Sequence, residues 1–276
     1  SIPMPTAASG ANQAFTASGS ATSEGGLNLS TNGSYLSLAG YAAAPGTAAV
    51  NGTTSASVPR VIARVDASGA VDTTTTITDA FSATNPRTAA SDDGTRFWVT
   101  GGNSGVRLVA LGASTSSLVS GGSASATNLR VAAIFDGQLY VSSGSAAALG
   151  VQRVGTGLPT TGATLTQLVA PASAYGYVLL DRSATVAGVD TLYVADDSGT
   201  GGLLKYSFDG AAWTARGTYK PANQTARGVT GAAQPDGSAK LFTTTSNGLL
   251  VAVTDTAAFD ATIAATDTTL ATAATN

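Results

Sequence analysis

The sequence lacks both histidine and cysteine throughout its 276 residues. The chain therefore has no imidazole base, no thiolate nucleophile, no disulfide, no zinc-finger ligand set and no haem-attachment motif. These absences exclude most familiar catalytic machinery. They leave carboxylate, hydroxyl, amide and guanidinium groups as the chemistry available to the protein.

Glutamate and lysine are also scarce. The chain has one Glu and three Lys against 15 Asp and 10 Arg. A soluble helical protein normally covers its outer faces with Glu and Lys, whereas Ser, Thr, Asn and Asp favour strands and turns. The composition therefore predicts an all-β protein.

Charge and hydropathy limit the classes of partner. The net charge of −3, the isoelectric point of about 4.7 and the lack of a basic run argue against nucleic-acid binding. No apolar stretch approaches the length of about 18 residues that a membrane span needs, so we expect no membrane insertion. A content of 43% hydrophobic residues allows a sizeable core, and we expect one domain over residues 1–276.

The chain begins at Ser1 rather than at Met. This start suggests a processed form or an excised piece of a longer polypeptide. The bias towards Ala, Ser, Thr and Gly is typical of secreted bacterial proteins, so we expect a secreted, extracellular or cell-surface location.

An internal repeat organises the sequence. Five units share a polar turn, often Asp-Gly or Asn-Gly, followed by a short apolar strand. The anchor residues, one in each apolar strand, are Leu36, Phe97, Leu139, Leu192 and Leu241. Successive anchors are separated by 61, 42, 53 and 49 positions. These separations lie in or just above the range of about 40 to 50 residues that is typical of propeller blades.

Each unit supplies four strands. A strand of small residues precedes the turn, and a third strand and a Thr-rich or aromatic fourth strand follow the anchor. We predict a β-propeller of four-stranded antiparallel blades, with a β-sandwich or a β-helix as alternatives. The predicted blades are 27–84, 85–127, 128–170, 171–225 and 226–276.

We expect six blades, with a partial sixth blade formed by residues 1–26. Its outer strands would be residues 2–6 and 14–17, and no small-residue strand follows Ala273 to complete it. An open sheet edge recruits other chains. We therefore expect either that segments are lost or that a neighbouring subunit supplies a strand, which would give a head-to-tail homo-oligomer.

Three stretches carry a resemblance to a known group. Residues 29–41 (LSTNGSYLSLAGY), 91–99 (SDDGTRFWV) and 192–197 (LYVADD) resemble secreted bacterial β-propeller proteins of uncharacterised function. The resemblance implies a propeller fold and secretion. It carries over no catalytic or binding residue.

Three arginines occupy the same place in three of the predicted innermost strands: Arg87, Arg130 and Arg227. Strand starts of this kind surround one mouth of a propeller channel, where guanidinium groups bind carboxylate or phosphate in a bidentate way. An anionic small molecule or an acidic sugar is the candidate ligand. The alternative is that each Arg pairs with an Asp in a turn of its own blade or a neighbouring blade.

Two weaker patterns point to other ligands. Sugar rings could stack on Tyr175, Tyr177, Trp213 and Tyr219, although packing in the core also explains these aromatics. Because Trp213 and Tyr219 lie six positions apart on one strand, period-two alternation places them on one face. Asp196 and Asp197 could bind Ca²⁺, although a polar strand connection also explains them.

We predict a non-catalytic structural or protein-interaction module that needs no cofactor, with other protein subunits or surface polysaccharide as partners. A carbohydrate-binding or surface-recognition domain is the alternative. A metal-dependent lactonase-like hydrolase is a further alternative, supported by three amide side chains that could hold a channel metal: Asn85, Asn103 and Asn128.

Overall fold

The computed structural model describes residues 1–120 and 126–273, and it is all-β. Its strands form five four-stranded sheets in the described residues, and each sheet follows chain order. We number these sheets blades 1 to 5. The strands are Asn28–Leu29 (β1), Tyr35–Tyr41 (β2), Arg60–Asp66 (β3), Val71–Ile77 (β4), Pro86–Ala90 (β5), Arg96–Gly101 (β6), Val106–Ala110 (β7), Ser117–Ser120 (β8), Leu129–Phe135 (β9), Gln138–Ser143 (β10), Gly150–Val154 (β11), Leu165–Val169 (β12), Ala174–Leu180 (β13), Thr191–Asp196 (β14), Gly202–Phe208 (β15), Trp213–Tyr219 (β16), Ala226–Ala233 (β17), Ala239–Thr245 (β18), Leu249–Asp255 (β19) and Ala265–Thr272 (β20).

Three single-turn 3-10 helices in the described residues connect strands. They are Val50–Gly52, Ala146–Ala148 and Pro221–Asn223. None of the helices in this part of the chain is long and apolar enough to cross a membrane.

The prediction of a propeller with four-stranded antiparallel blades is confirmed, whereas the prediction of six blades is wrong. The described residues form five blades, and the expected outer strands at residues 2–6 and 14–17 do not form. The N-terminal segment instead lies along blade 1. Thr16 makes a single bridge to Tyr41, Phe15 packs with Val61, and Thr73 donates a hydrogen bond to the Gln13 carbonyl at 2.7 Å.

This placement has a physical reason. The N-terminal segment buries its apolar side chains against the existing blade and bonds its polar groups to that blade, so it does not pair as a separate sheet. With no partial sixth blade among the described residues, the expected exchange of a strand into that blade loses its basis.

Asp-Gly turns join the first two strands of several blades, as the sequence predicts. Asp93 Oδ1 accepts hydrogen bonds from the backbone nitrogen and the hydroxyl of Thr95, at 2.8 and 2.7 Å. Asp236 makes the same pair of bonds with Ser238, at 2.9 and 2.7 Å. These bonds to the hydroxyl and the backbone lower the pKa of both carboxyl groups. The turn aspartates therefore shape the backbone.

The chain divides into two compact units. The first comprises Ser1–Ala148 and Gln152–Thr166, and the second comprises Leu149–Val151 and Gln167–Asn276. Apolar side chains fill the interior of each unit. Among the predicted anchors, Leu36 is half-buried. The other four are completely buried, and they are Phe97, Leu139, Leu192 and Leu241.

The aromatic residue after each anchor differs between blades. Trp98, Tyr140 and Tyr193 are buried in blades 2 to 4. Phe242, at the same position in blade 5, is 40% exposed. The last blade therefore presents to solvent an aromatic side chain that the other three blades bury.

Candidate functional site

The first strands of blades 2 to 5 share an irregularity near their starts. From Pro86 to Thr88, strand β5 advances two residues while β6 advances one. Strands β9, β13 and β17 likewise gain one residue over their partners near their starts. Such β-bulges redirect side chains. The second residues of these four strands are Arg87, Arg130, Tyr175 and Arg227.

In the first unit, Arg87 and Arg130 both lie beside Asn128. Arg87 Nη1 donates hydrogen bonds to Asn128 Oδ1 at 2.6 Å and to the Leu129 carbonyl at 3.2 Å. A Cβ atom added to Gly144 would lie 2.5 Å from Arg130 Nη2 and 2.7 Å from Asn128 Nδ2. Arg87 thus bonds the Asn128 amide, and the Arg130 guanidinium lies beside the same amide, above the Gly144 backbone. We call this group the Asn128 cluster, and it comprises Arg87, Asn128 and Arg130.

Close contact between strands β5 and β9 brings the two arginines together. Thr88 Oγ1 accepts a hydrogen bond from the Ala132 backbone nitrogen at 2.7 Å. The same hydroxyl lies 3.3 Å from the Arg130 carbonyl. The small residues of these strands permit this approach, as the sequence predicts. The two bulges then place the flanking arginines at equivalent positions of neighbouring strands.

The single glutamate occupies a nearby part of the same unit. Glu24 Oε1 accepts hydrogen bonds from Tyr41 Oη at 2.6 Å and from Asn85 Nδ2, and Glu24 Oε2 accepts one from the Ser18 backbone nitrogen at 2.7 Å. Burial, followed by the hydrogen bond to Glu24, raises the pKa of Tyr41. Glu24 therefore connects the N-terminal segment to the end of β2 and to the residue before β5. This role was missed because Glu24 lies in a Gly/Ser-rich segment that carries no strand pattern.

In the second unit, Arg227 meets Asp197 and Tyr175. Arg227 Nε lies 3.2 Å from Asp197 Oδ2, and its guanidinium lies over the Tyr175 ring, 5.8 Å from the centroid. Ser173 Oγ donates a 2.6 Å hydrogen bond to Asp197 Oδ1. We call these four residues the Tyr175 cluster. The ion pair is the arrangement that the alternative interpretation of Arg227 predicts.

A glycine permits this arrangement in the second unit. A Cβ atom at Gly176 would lie 2.8 Å from the Val229 nitrogen and 2.9 Å from the Arg227 carbonyl. The first strands of blades 4 and 5 therefore approach each other closely at this point. Gly176 follows Tyr175 directly in the bulged part of β13, which places the Tyr175 ring beside Arg227.

The metal-binding interpretation of Asp196 and Asp197 gains no support from their contacts. Asp196 accepts hydrogen bonds from the backbone nitrogens of Ser173 and Ser198, at 2.9 and 2.8 Å. Asp197 is engaged by Arg227 and Ser173. Across residues 1–120 and 126–273, no group of three or more acidic side chains is placed to hold a metal ion.

The three amide side chains of the lactonase alternative serve separate contacts. Asn85 donates to Glu24, Asn128 accepts from Arg87, and Asn103 Nδ2 donates to the Ser82 carbonyl at 3.1 Å. Each of the three amides contacts a different partner. The expected convergence on one metal position is not among these contacts.

The predicted sugar platform on strand β16 is not formed as expected. Across the pair of strands β15 and β16, Phe208 lies opposite Trp213 and Leu203 lies opposite Tyr219. Leu203 and Phe208 are five positions apart on β15, whereas their partners are six positions apart on β16. The extra residue is a bulge near Gly217, so Trp213 and Tyr219 lie on opposite faces. Trp213 packs against Phe208, with ring centroids 5.3 Å apart. Tyr177 is buried, whereas Tyr175, Trp213 and Tyr219 are half-buried.

A buried ionic network in the second unit was not predicted. Asp255 Oδ2 accepts hydrogen bonds from Tyr193 Oη at 2.6 Å and lies 2.9 Å from Lys205 Nζ and 3.7 Å from Arg182 Nη1. The charged side chains of this network are all at most 1% exposed. Burial favours the neutral acid, but the bonds from Tyr193 and Lys205 outweigh it and hold the pKa of Asp255 below its usual value. Burial also lowers the pKa of Lys205.

Comparison with solved structures supports the fold. No protein-family model matches the sequence, and the curated proteins give no match either. The chain is similar to a Bacteroides uniformis protein named "putative 6-phosphogluconolactonase", with 14% identity and a TM-score of 0.52 over 87% of this chain and 69% of that chain. This likeness shows the fold alone.

Two structures of AztD from Citrobacter koseri also match. The apo form has 12% identity and a TM-score of 0.43 over 82% of this chain and 57% of that chain. The other has 14% identity and a TM-score of 0.41 over 87% of this chain and 60% of that chain. The chain therefore spans less than two thirds of the AztD structures.

Proposed function

We propose that the protein is a non-catalytic recognition module that acts outside the cell and binds a carboxylate-bearing ligand, such as an acidic saccharide, at the Asn128 cluster. The observation that carries the proposal is the shared bulge, which places arginine at the same position of neighbouring strands β5 and β9. Arg87 then bonds Asn128, and the Arg130 guanidinium lies beside the same amide.

The chemistry of the cluster suits an anionic group. Guanidinium groups bind carboxylates through two parallel hydrogen bonds, and these charge-assisted bonds are stronger than neutral ones. The amide and carbonyl acceptors hold Arg87 through Nη1 and so fix the plane of its guanidinium group. Binding of a ligand then costs less conformational entropy, because the Arg87 side chain is already ordered.

Calorimetric titration with an oligogalacturonate, whose sugars each carry a carboxylate, tests the proposal. Arg87→Ala and Arg130→Ala should each weaken binding by about tenfold or more, because a hydrogen bond to a charged group contributes roughly 1.5 to 3 kcal/mol. A neutral galactose oligomer of equal length should not compete for the site.

Arg107→Ala is the matched control. Arg107 is an arginine of the first unit that pairs with Asp79 at 3.2 Å on strand β7, away from the first strands of the blades. Its removal should leave oligogalacturonate binding unchanged. Equal losses in Arg107→Ala and Arg87→Ala would reduce the effect to net charge and contradict the assignment.

A second candidate function is self-association through sheet faces, and the exposure of Phe242 favours it. Phe242 and Leu250 lie on one face of blade 5 and are both exposed, although the equivalent aromatics of blades 2 to 4 are buried. Leu27 and Leu29 are exposed at blade 1. We infer that Phe242 and Leu250 of one copy pack against Leu27 and Leu29 of a second copy, since both pairs of side chains are apolar and exposed.

Light scattering over a range of protein concentrations tests this association. A mass that rises with concentration, and that Phe242→Ser returns to the monomer value, would support it. A monomer at every concentration would contradict it. Leu118→Ser, which changes an exposed leucine on strand β8, serves as the control.

A further inference from the structure

The Tyr175 cluster carries a second ligand site, in the other compact unit. Its residues come from the bulged starts of β13 and β17 and from the segment that follows β14. Arg227 and Asp197 remain partly open to solvent, with side chains 31% and 15% exposed, and Tyr175 is half-buried. A molecule in solution can therefore reach all three groups.

The charges at this site differ from those at the Asn128 cluster. The Arg227 guanidinium is already matched by the Asp197 carboxylate through Nε. Among the residues that the structure describes, no further hydrogen bond of the Arg227 guanidinium is found. The pair therefore presents a donor and an acceptor next to each other with no net charge, beside an aromatic ring.

We propose that this cluster binds a neutral pyranose through two adjacent hydroxyl groups. The Arg227 Nη atoms would donate to the oxygen of one hydroxyl, and the Asp197 carboxylate would accept a hydrogen bond from the other. The apolar C–H face of the sugar would pack against the exposed part of the Tyr175 ring, which supplies apolar area at low entropic cost. The site does not depend on the Asn128 cluster.

A similar trio in the first unit supplies a control for this site. Arg64 lies over the Tyr35 ring at 4.6 Å and pairs with Asp72 at 3.2 Å. Arg64 Nη1 also donates to the Gly94 carbonyl, and Gly94 lies directly against the Tyr35 ring. Arg64 in that trio thus spends an Nη donor on a backbone carbonyl, and Tyr35 is a matched control of the same residue type.

Titration of the whole chain with neutral gluco-, manno- and galacto-oligosaccharides, followed by calorimetry and by NMR, tests the proposal. At least one series should bind saturably. Tyr175→Ala should weaken that binding by about tenfold, in line with the contribution of an aromatic contact. Tyr175→Phe should retain the binding because the ring remains, and Tyr35→Ala should leave it unchanged.

Arg227→Gln provides a second variant should Tyr175→Ala fail to fold. It keeps most of the side-chain volume, removes the guanidinium donors and should also weaken binding by about tenfold. Absence of saturable binding to all three series would overturn the proposal, as would an equal loss in Tyr35→Ala. Because the Asn128 cluster is probed with an anionic oligomer and with Arg87→Ala, the two proposals can fail separately.

Discussion

The substitution Asp255→Asn tests whether the buried ionic network stabilises the second unit. Asp255 receives hydrogen bonds from Tyr193, Lys205 and the backbone nitrogens of Ala257 and Ala264. Asparagine has nearly the same size as aspartate. The substitution therefore removes the negative charge from the network while changing the packed volume very little.

The loss of stability follows from the charges that remain. Lys205 and Arg182 are almost completely excluded from water, and without Asp255 they lose the carboxylate that they contact. Removing one partner of a buried ion pair typically costs about 3 to 5 kcal/mol, because the other charge stays buried and uncompensated. We expect Asp255→Asn to lower the free energy of unfolding by about that amount.

Urea denaturation, followed by circular dichroism and tyrosine fluorescence, measures the effect. Because the chain forms two compact units, unfolding can show two transitions. The loss should then fall on the transition of the second unit. Asp236→Asn, in an exposed turn of the same unit, is the control and should change stability far less.

The pH dependence supplies an independent check. The native pKa of Asp255 is lowered, so the native state binds a proton less readily than the unfolded state, whose aspartate pKa is about 3.9. The stabilisation from Asp255 is complete above that pH and is lost as the pH falls through the native pKa. The gap between wild type and Asp255→Asn should narrow below about pH 4. An unchanged urea midpoint in Asp255→Asn at neutral pH would mean that the network does not stabilise the second unit.

Further perturbations test the core, the N-terminal segment and the buried tyrosines. Phe97→Ala should cost about 3 to 5 kcal/mol in urea denaturation because Phe97 is completely buried, whereas Phe242→Ala should cost much less; equal losses would contradict the assigned burial. Glu24→Gln should lower stability by about 1 to 3 kcal/mol, since it weakens the acceptor of Tyr41 and Asn85, and an unchanged thermal midpoint would contradict this role. Burial raises the pKa of Tyr206 to about 12, so its protonated form stabilises the fold below about pH 10 and this contribution is lost as the pH rises towards 12. Ultraviolet titration of wild type against Tyr206→Phe measures this ionisation, and a pKa near 10 in the folded protein would be the contrary result.

The blade architecture could be predicted because it depends on local patterns. An Asp-Gly or Asn-Gly turn needs particular residues, and the buried anchor after it needs an apolar one. Phe97, Leu139 and Leu241 therefore stand out in the sequence and are completely buried in the structure. The number of blades could not be predicted in this way. It depends on whether residues such as Phe15 pair as strands or pack on blade 1, and both outcomes need the same apolar residues.

The candidate sites were predictable only in part. The shared position of Arg87 and Arg130 is visible in the sequence, whereas their meeting at Asn128 depends on bulges that leave no mark in composition. A bulge near Gly217 likewise reverses the face expected for Tyr219. Lys205 and Asp255 were missed because a charged residue in a strand normally predicts a solvent-facing position. Their burial depends on contacts between residues far apart in the chain.

An experimental structure of the protein bound to an oligogalacturonate would test ligand binding at the Asn128 cluster. We expect a sugar carboxylate within hydrogen-bond distance of the Arg87 and Arg130 guanidinium groups, with Asn128 still accepting from Arg87 Nη1. An oligogalacturonate bound at another surface, or a complex in which these two side chains make no contact with it, would contradict the proposed function.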